Sequence, residues 1–224
     1  MSKIFFMIIA LFCLGFTQTK DDFEFKILNK SLKKGDSIFF CLKNNTKESY
    51  CFLIDTSFSC VEYPEYYYKD SFFSPKIELY DKDNTLVNEL IFTNNGTVNF
   101  SKEEKSKEIY KILGINQNKC GEQKLVTIKP NETLHFRMPL SFVNYLDNST
   151  FKYFVLNGST FDLQLNYLQK EKFIKEKVSK NKQDSLASIG INFFNGQLKS
   201  NKVKLKISFE EYNIALKKLK NVVN

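Results

Sequence analysis

The segment with the clearest chemical potential is rich in aromatic side chains. Between Asp55 and Pro75 the chain carries rings among carboxylates, and Pro64 and Pro75 break regular structure there. Aromatic rings offer a large contact area at a small entropic cost, and rings beside carboxylates also suit sugars. We therefore expect either a ligand-binding loop or a lid of rings that folds back over the end of the fold. The candidate ligand-binding residues are Tyr63, Tyr66, Tyr67, Tyr68, Phe72 and Phe73.

Cysteine spacing points to a second kind of chemistry, disulfide formation. Beyond residue 18 the chain keeps Cys41, Cys51, Cys60 and Cys120, and an even number of cysteines in an exported chain is typical of disulfides. The first two flank the turn-forming run Asn44-Asn45-Thr46, and a hairpin centred there would place them opposite each other. We expect the pairs 41–51 and 60–120. Four reduced thiols packed as small hydrophobic groups are the alternative.

Motifs for catalysis or metal binding are scarce. His135 is the single histidine, and alternation places it with Arg137 on the polar face of a strand, which does not favour a catalytic triad. The sequence contains no nucleophile elbow, no glycine-rich phosphate loop and no Cys-x-x-Cys pair. The run Asp81–Asn84 has the oxygen density of a calcium loop, but a hairpin turn explains it equally well. We expect no cofactor and no metal, although two of the 25 carboxylates could still meet as an acid and a base.

The first residues predict export. Lys3 is followed by 13 uncharged, mostly apolar residues, 4–16, and then by a polar exit, which is the layout of a signal peptide. The apolar run is shorter than the roughly 20 residues that cross a membrane. We expect residues 1–18 to be a signal peptide and residues 19–224 to form one domain without a membrane span. The mature chain would then be periplasmic, cell-surface or secreted.

The positive charge of the chain does not point to nucleic acid. Without residues 1–18 the chain has 32 basic and 25 acidic side chains, a net charge of +7. Arg137 is the single arginine, whereas bidentate contacts to bases and phosphates depend on arginine. We therefore expect an unknown protein or glycan as the partner, and no nucleic acid.

Two-residue alternation dominates the rest of the chain and predicts strands. In Val203–Phe209 every second residue is apolar, which gives one buried and one solvated face. A hairpin is expected from residues 38–42 and 50–54. About ten such strands separated by turns favour an all-β fold, an antiparallel sandwich.

Two helices are expected beside the strands. Ser101 with Glu104, and Ser208 with Glu211, form capping boxes that open helices over 102–113 and 209–223. The lysine-rich stretch from Lys170 to Asp184 has few apolar residues, and we expect it to be a mobile excursion between two strands. The second helix carries an apolar stripe that should pack on the sandwich, made of Tyr212, Ala215, Leu216, Leu219 and Val223.

Four sequence frames carry a family resemblance. They are Phe39-Phe40-x-Leu42-x-Asn44-Asn45-Thr46, Ile77-x-Leu79-x-Asp81-x-Asp83, Ile128-x-Pro130-x-Glu132-Thr133-x-x-Phe136 and Gly196-Gln197-Leu198-Lys199-Ser200-Asn201-x-Val203-x-Leu205-x-Ile207. Over residues 23–209 the chain resembles exported immunoglobulin-like β-sandwich proteins of AT-rich Gram-negative bacteria. The resemblance implies that fold and a location in the bacterial envelope, and it carries no catalytic residues.

These observations favour a protein that binds rather than catalyses. The first hypothesis is a recognition or adhesion module that contacts a protein or a glycan through residues 63–73. One alternative is an inhibitor of a secreted protease that inserts the same loop into the enzyme. The other is a glycan-acting hydrolase with unidentified carboxylates.

Overall fold

The computed structural model describes residues 22–55, 75–93, 123–145 and 150–223. Within these ranges the fold is all-β, because 50% of the residues are in strands and 20% in three helices. The strands are β1 Phe23–Ile27, β2 Ser31–Lys33, β3 Ser37–Asn44, β4 Ser49–Asp55, β5 Lys76–Tyr80, β6 Glu89–Thr93, β7 Gln123–Ile128, β8 Thr133–Pro139, β9 Val143–Tyr145, β10 Thr150–Phe154, β11 Thr160–Gln169, β12 Ile191–Phe193, β13 Gly196–Lys199 and β14 Val203–Lys206. The helices are α1 Glu171–Lys177, α2 Lys180–Ser188 and α3 Phe209–Val223.

The described strands form four sheets. Sheet A has the order β1-β3-β8, and sheet B has the order β13-β11-β14-β2 with β5 on the other edge of β11. Sheet C has the order β12-β4-β7, and sheet D has the order β6-β10-β9. The expectation of wholly antiparallel pairing is wrong, because β2 runs parallel to β14 and β12 runs parallel to β4.

The predicted hairpin of residues 38–42 and 50–54 is also wrong. Strand β3 pairs with β1 and β8, so both of its edges are occupied, and β4 belongs to sheet C. The buried Asn44 side chain directs the chain from one sheet to the other. Its amide nitrogen donates to the carbonyls of Glu48 (2.7 Å) and Ile128 (3.1 Å), and its oxygen accepts from the Thr46 amide (2.9 Å). These bonds replace those of a two-stranded turn.

The two described cysteines are free and buried. Cys41 lies opposite Lys26 and His135 in sheet A, whereas Cys51 lies in sheet C. The predicted 41–51 disulfide is therefore not formed in this structure. Both thiols pack as small hydrophobic groups, and Cys60 and Cys120 lie outside the described residues.

We expect Cys41 and Cys51 to resist alkylation in the native protein. Burial raises the pKa of both thiols, so little thiolate is available, and the reagent reaches them only when the fold opens. Peptide mapping after treatment with iodoacetamide should find both unmodified under native conditions. In guanidinium chloride both should be modified without any reductant. A disulfide-linked 41–51 peptide that is modified only after reduction would contradict the free-thiol structure.

One hydrophobic core joins the sheets, and its centre is aromatic. Phe52 of β4 stacks on Phe194, with ring centroids 4.7 Å apart and planes 17° apart. Phe23 of β1 meets both rings edge-on, at 5.4 Å from each centroid. Edge-to-face and offset-stacked rings are the favourable arrangements of aromatic pairs, so this trio ties sheet A to sheet C.

The C-terminal helix is as predicted. α3 begins at Phe209, the Ser208 hydroxyl accepts from the Glu211 amide (3.3 Å), and the preceding strand ends at Lys206 rather than continuing to Phe209. Four members of the expected stripe are buried, and the Tyr212 hydroxyl donates to the Phe154 carbonyl (2.8 Å). These four residues pack on the sheets as expected. The predicted helix 102–113 lies outside the described residues.

Residues 170–184 lie between two strands, β11 and β12, as expected, and they form α1 and the first part of α2. The few apolar residues of this segment are placed so that they can be buried. Phe173 packs with Leu53 and with the half-buried Leu125, and Leu186 of α2 is buried as well. Tertiary packing of these positions outweighs the lysine-rich composition of the segment.

Candidate functional site

The six aromatic residues predicted as a ligand site lie outside the described residues. Tyr63, Tyr66, Tyr67, Tyr68, Phe72 and Phe73 therefore stay a prediction. His135 and Arg137 are both exposed on β8, as alternation predicted. The Arg137 guanidinium donates to the Ser37 hydroxyl (3.0 Å) and lies 5.7 Å from the centre of the Phe39 ring.

The Asp81–Asn84 run forms a turn. One Asp81 carboxylate oxygen accepts from the amides of Asp83 and Thr85, both at 2.9 Å, and Asn84 has a φ of 60°. These bonds occupy an oxygen that a cation would otherwise use, as the hairpin interpretation expected. The described residues contain no group of three His, Cys, Asp or Glu side chains that could hold a metal ion.

A break between two strands of sheet B creates the most distinctive surface of the described structure. Strand β11 has ten residues, but its neighbour on one side is divided into β13 and β14. At the break the Ser200 hydroxyl accepts from the Leu165 amide (2.8 Å), and the Ser200 amide donates to the Leu165 carbonyl (2.9 Å). A serine side chain thus replaces a backbone acceptor and lets the strand bend.

Asn201 ties this break to sheet A. Its side-chain oxygen accepts from the Ile27 amide (2.7 Å), and its nitrogen donates to the Ile27 carbonyl (3.3 Å). One side chain therefore supplies both hydrogen bonds that a neighbouring strand would give to the end of β1.

Within the described ranges, the rest of the β1 edge carries backbone groups that make no hydrogen bond. In an antiparallel pair the amide and carbonyl of every second residue point away from the partner strand. The Leu28 amide donates to the Phe39 carbonyl of β3 (2.8 Å), whereas the Ile27 backbone points the other way, toward Asn201. Phe23 and Phe25 lie four and two residues before Ile27, so their amides and carbonyls also point away from β3. No described residue hydrogen-bonds to the Phe25 amide or carbonyl.

A cleft of about 580 Å³ opens beside this edge. The volume is within the range of roughly 300–1,000 Å³ that is typical of ligand sites. Phe23 and Phe25 are buried residues, with 3% and 7% of their surface exposed, and their rings point into the core. They therefore contribute backbone atoms, rather than ring faces, to the wall of the cleft. The cleft is lined by Phe23, Glu24, Phe25, Lys26, Asn45, Lys199, Ser200 and Asn201.

Charged side chains of both signs reach the cleft from opposite walls. On β1, Lys26 lies 3.8 Å from Glu24, and on β13 Lys199 lies 3.4 Å from Glu78. Both distances are long for an ion pair, and three of the four side chains are about half exposed, so these contacts hold the ammonium groups only weakly. The two lysines remain available to an anionic group that enters the cleft.

A buried polar cluster supports the Lys199 wall. Glu78 accepts from the side-chain amide of Asn166 (2.7 Å) and from the Tyr80 hydroxyl (2.8 Å). Burial raises the pKa of Glu78, but these hydrogen bonds and the Lys199 ammonium outweigh it, and the net pKa is lowered. Burial, together with Glu78, raises the pKa of Tyr80 to about 12. Glu78 is thus a fixed negative charge behind the Lys199 wall.

No local sequence pattern predicted this cleft. The Ile27–Asn201 contact joins residues 174 positions apart, and the Glu78–Lys199 contact joins residues 121 positions apart. Comparisons with protein-family models, curated proteins and solved structures found no match to this chain. None of the helices in the described ranges has the length and apolar character needed to cross a membrane.

Proposed function

We propose that this chain is an exported, non-enzymatic binding module, an immunoglobulin-like β-sandwich whose ligand occupies the cleft beside β1. The observation that carries the proposal is the cleft itself, a concave surface of about 580 Å³ with an unpaired strand edge on one wall and charged side chains on both. Ligand sites combine such concavity with a few convergent polar groups. The apolar run at the start of the chain supports export.

The state of Glu78 supports binding rather than hydrolysis. Among the carboxylates whose burial the structure describes, Glu78 is the one that is buried, and a buried acid with a raised pKa is the usual proton donor of a hydrolase. The pKa of Glu78 is lowered instead, so it carries no proton at neutral pH. Each of its oxygens is also engaged by Asn166 or Tyr80.

Two features support the sandwich. One core contains buried residues of all four described sheets, and the first strands pass from one sheet to another, since β1 pairs in sheet A and β2 in sheet B. The aromatic residues 63–73 remain a second predicted contact surface for the same ligand.

The proposal is tested by closing the cleft. Purified protein is screened against a displayed library of linear peptides and an array of immobilised oligosaccharides. Ligands from either screen should bind the Lys26→Trp variant at least about tenfold more weakly, because the indole fills the cleft. The matched control is Lys206→Trp, an exposed lysine on β14 that does not line the cleft, and it should bind as the wild type does.

Two results would contradict the proposal. Equal binding by the wild type and by Lys26→Trp would place recognition elsewhere on the chain. Turnover of an oligosaccharide by the wild-type protein, abolished by one carboxylate substitution, would make the protein an enzyme.

A further inference from the structure

We propose that the cleft takes an acidic, extended segment of another protein, which adds to the free edge of β1 as a further strand. The inference rests on the proposed function and specifies its ligand. An extended peptide gains affinity from main-chain hydrogen bonds to a sheet edge, and specificity from its alternate side chains.

The backbone of β1 favours a peptide over a sugar. Phe23 and Phe25 offer two amides and two carbonyls along one side, in the spacing that the next strand of a sheet requires. Sugars are usually held against exposed aromatic ring faces, but here both rings are turned into the core. At the closed end, Asn201 already makes the same pair of bonds to Ile27 that a strand would make.

The charges of the cleft set the side-chain preference. In an added strand, successive side chains lie on opposite faces of the sheet. Side chains on the outer face come between Lys26 and Lys199, whose weak contacts with Glu24 and Glu78 leave them able to attract a carboxylate. Side chains on the inner face approach Phe25 and Leu198, which line a small apolar cavity. The preferred pattern is apolar, acidic, apolar.

Charge also identifies the source of the segment as a different protein. This chain has a net charge of +8, and two copies would repel each other. An acidic partner is instead attracted, and its association should slow as salt is added.

The probes are three short capped peptides whose residues favour an extended conformation. One has the sequence Thr-Val-Glu-Val-Thr, and the other two carry Gln or Lys at the central position. Fluorescence anisotropy should show the Glu peptide binding roughly tenfold more tightly than the Lys peptide at low salt. Lys26→Gln and Lys199→Gln should each reduce that preference by about threefold. The matched control is Lys217→Gln, an exposed lysine on α3 that makes the same change in net charge away from the cleft.

N-methyl peptides separate strand addition from simple charge attraction. Methylating an amide that faces β1 removes a hydrogen bond, whereas methylating the next amide does not, so loss of binding should alternate along the peptide. Uniform effects of methylation, or equal binding of the Glu and Lys peptides, would overturn the inference. If oligosaccharides bind and Lys26→Trp abolishes that binding while no peptide binds, strand addition is wrong and the binding module stands. If Lys26→Trp weakens no ligand at all, both are wrong.

Discussion

Replacing Gln169 with leucine should lower the free energy of unfolding by roughly 3–5 kcal/mol. The side chain is buried, with 2% of its surface exposed, and it connects two sheets. Its oxygen accepts from the Leu53 amide of β4 (2.8 Å), and its nitrogen donates to the Phe194 carbonyl (2.7 Å). Leucine keeps the volume but leaves both backbone groups buried without a partner. Each such group costs about 1–3 kcal/mol.

Equilibrium unfolding in urea, followed by circular dichroism, measures this effect. The matched control is Lys206→Leu, an exposed lysine on β14, and it should change the free energy of unfolding by about 0.5 kcal/mol or less. Tyr167→Phe should cause a loss of stability between those of the other two variants. The Tyr167 hydroxyl has one proton to donate and lies close to both the Leu53 carbonyl (2.8 Å) and the Gln169 oxygen (2.6 Å), so its removal costs one hydrogen bond rather than two. A Gln169→Leu protein as stable as the wild type would show that this network does not hold the sheets together.

Replacing Asn44 with alanine should have a comparable cost, roughly 3–4 kcal/mol. Asn44 is fully buried, and its side chain binds the backbone of Glu48, Ile128 and Thr46. Alanine leaves the Ile128 carbonyl without this donor in the core, and it removes the bonds that guide the chain from sheet A to sheet C.

Thermal unfolding and urea midpoints check this second expectation. Lys47→Ala is the matched control, since Lys47 is exposed in the same connection and its loss should change stability by about 0.5 kcal/mol or less. A small effect of Asn44→Ala, similar to that of the control, would mean that the β3–β4 connection is held by other contacts.

Local patterns predicted the elements better than they predicted the pairing of those elements. Alternation located strands such as β14, and a capping box with an apolar stripe located α3, because the side-chain periods of 2 and 3.6 are properties of the local chain. Strand β2 was missed because three residues are too few to show a period. Its partner β14 is far away in sequence.

The pairing errors share one physical cause. An Asn-rich turn between two apolar runs is typical of a hairpin, but the Asn44 side chain binds Ile128, a residue 84 positions away, and this contact decides the path. The cleft likewise depends on Ser200 and Asn201, whose short side chains replace backbone partners across long sequence distances. No local pattern contains that information.

The parallel pairing of β2 with β14 has a mechanical consequence. In a parallel pair, the N-terminal end of one strand and the C-terminal end of the other lie at opposite ends of the ladder. Tension applied to the start of β2 and to the end of β14 therefore loads the hydrogen bonds of Ser31–Lys33 in shear. All bonds of the ladder then share the load, whereas an antiparallel terminal pair would open one bond at a time. Before the β2–β14 ladder bears this load, tension must separate β1 from β3 and α3 from the sheets, to which the Tyr212 hydroxyl bonds.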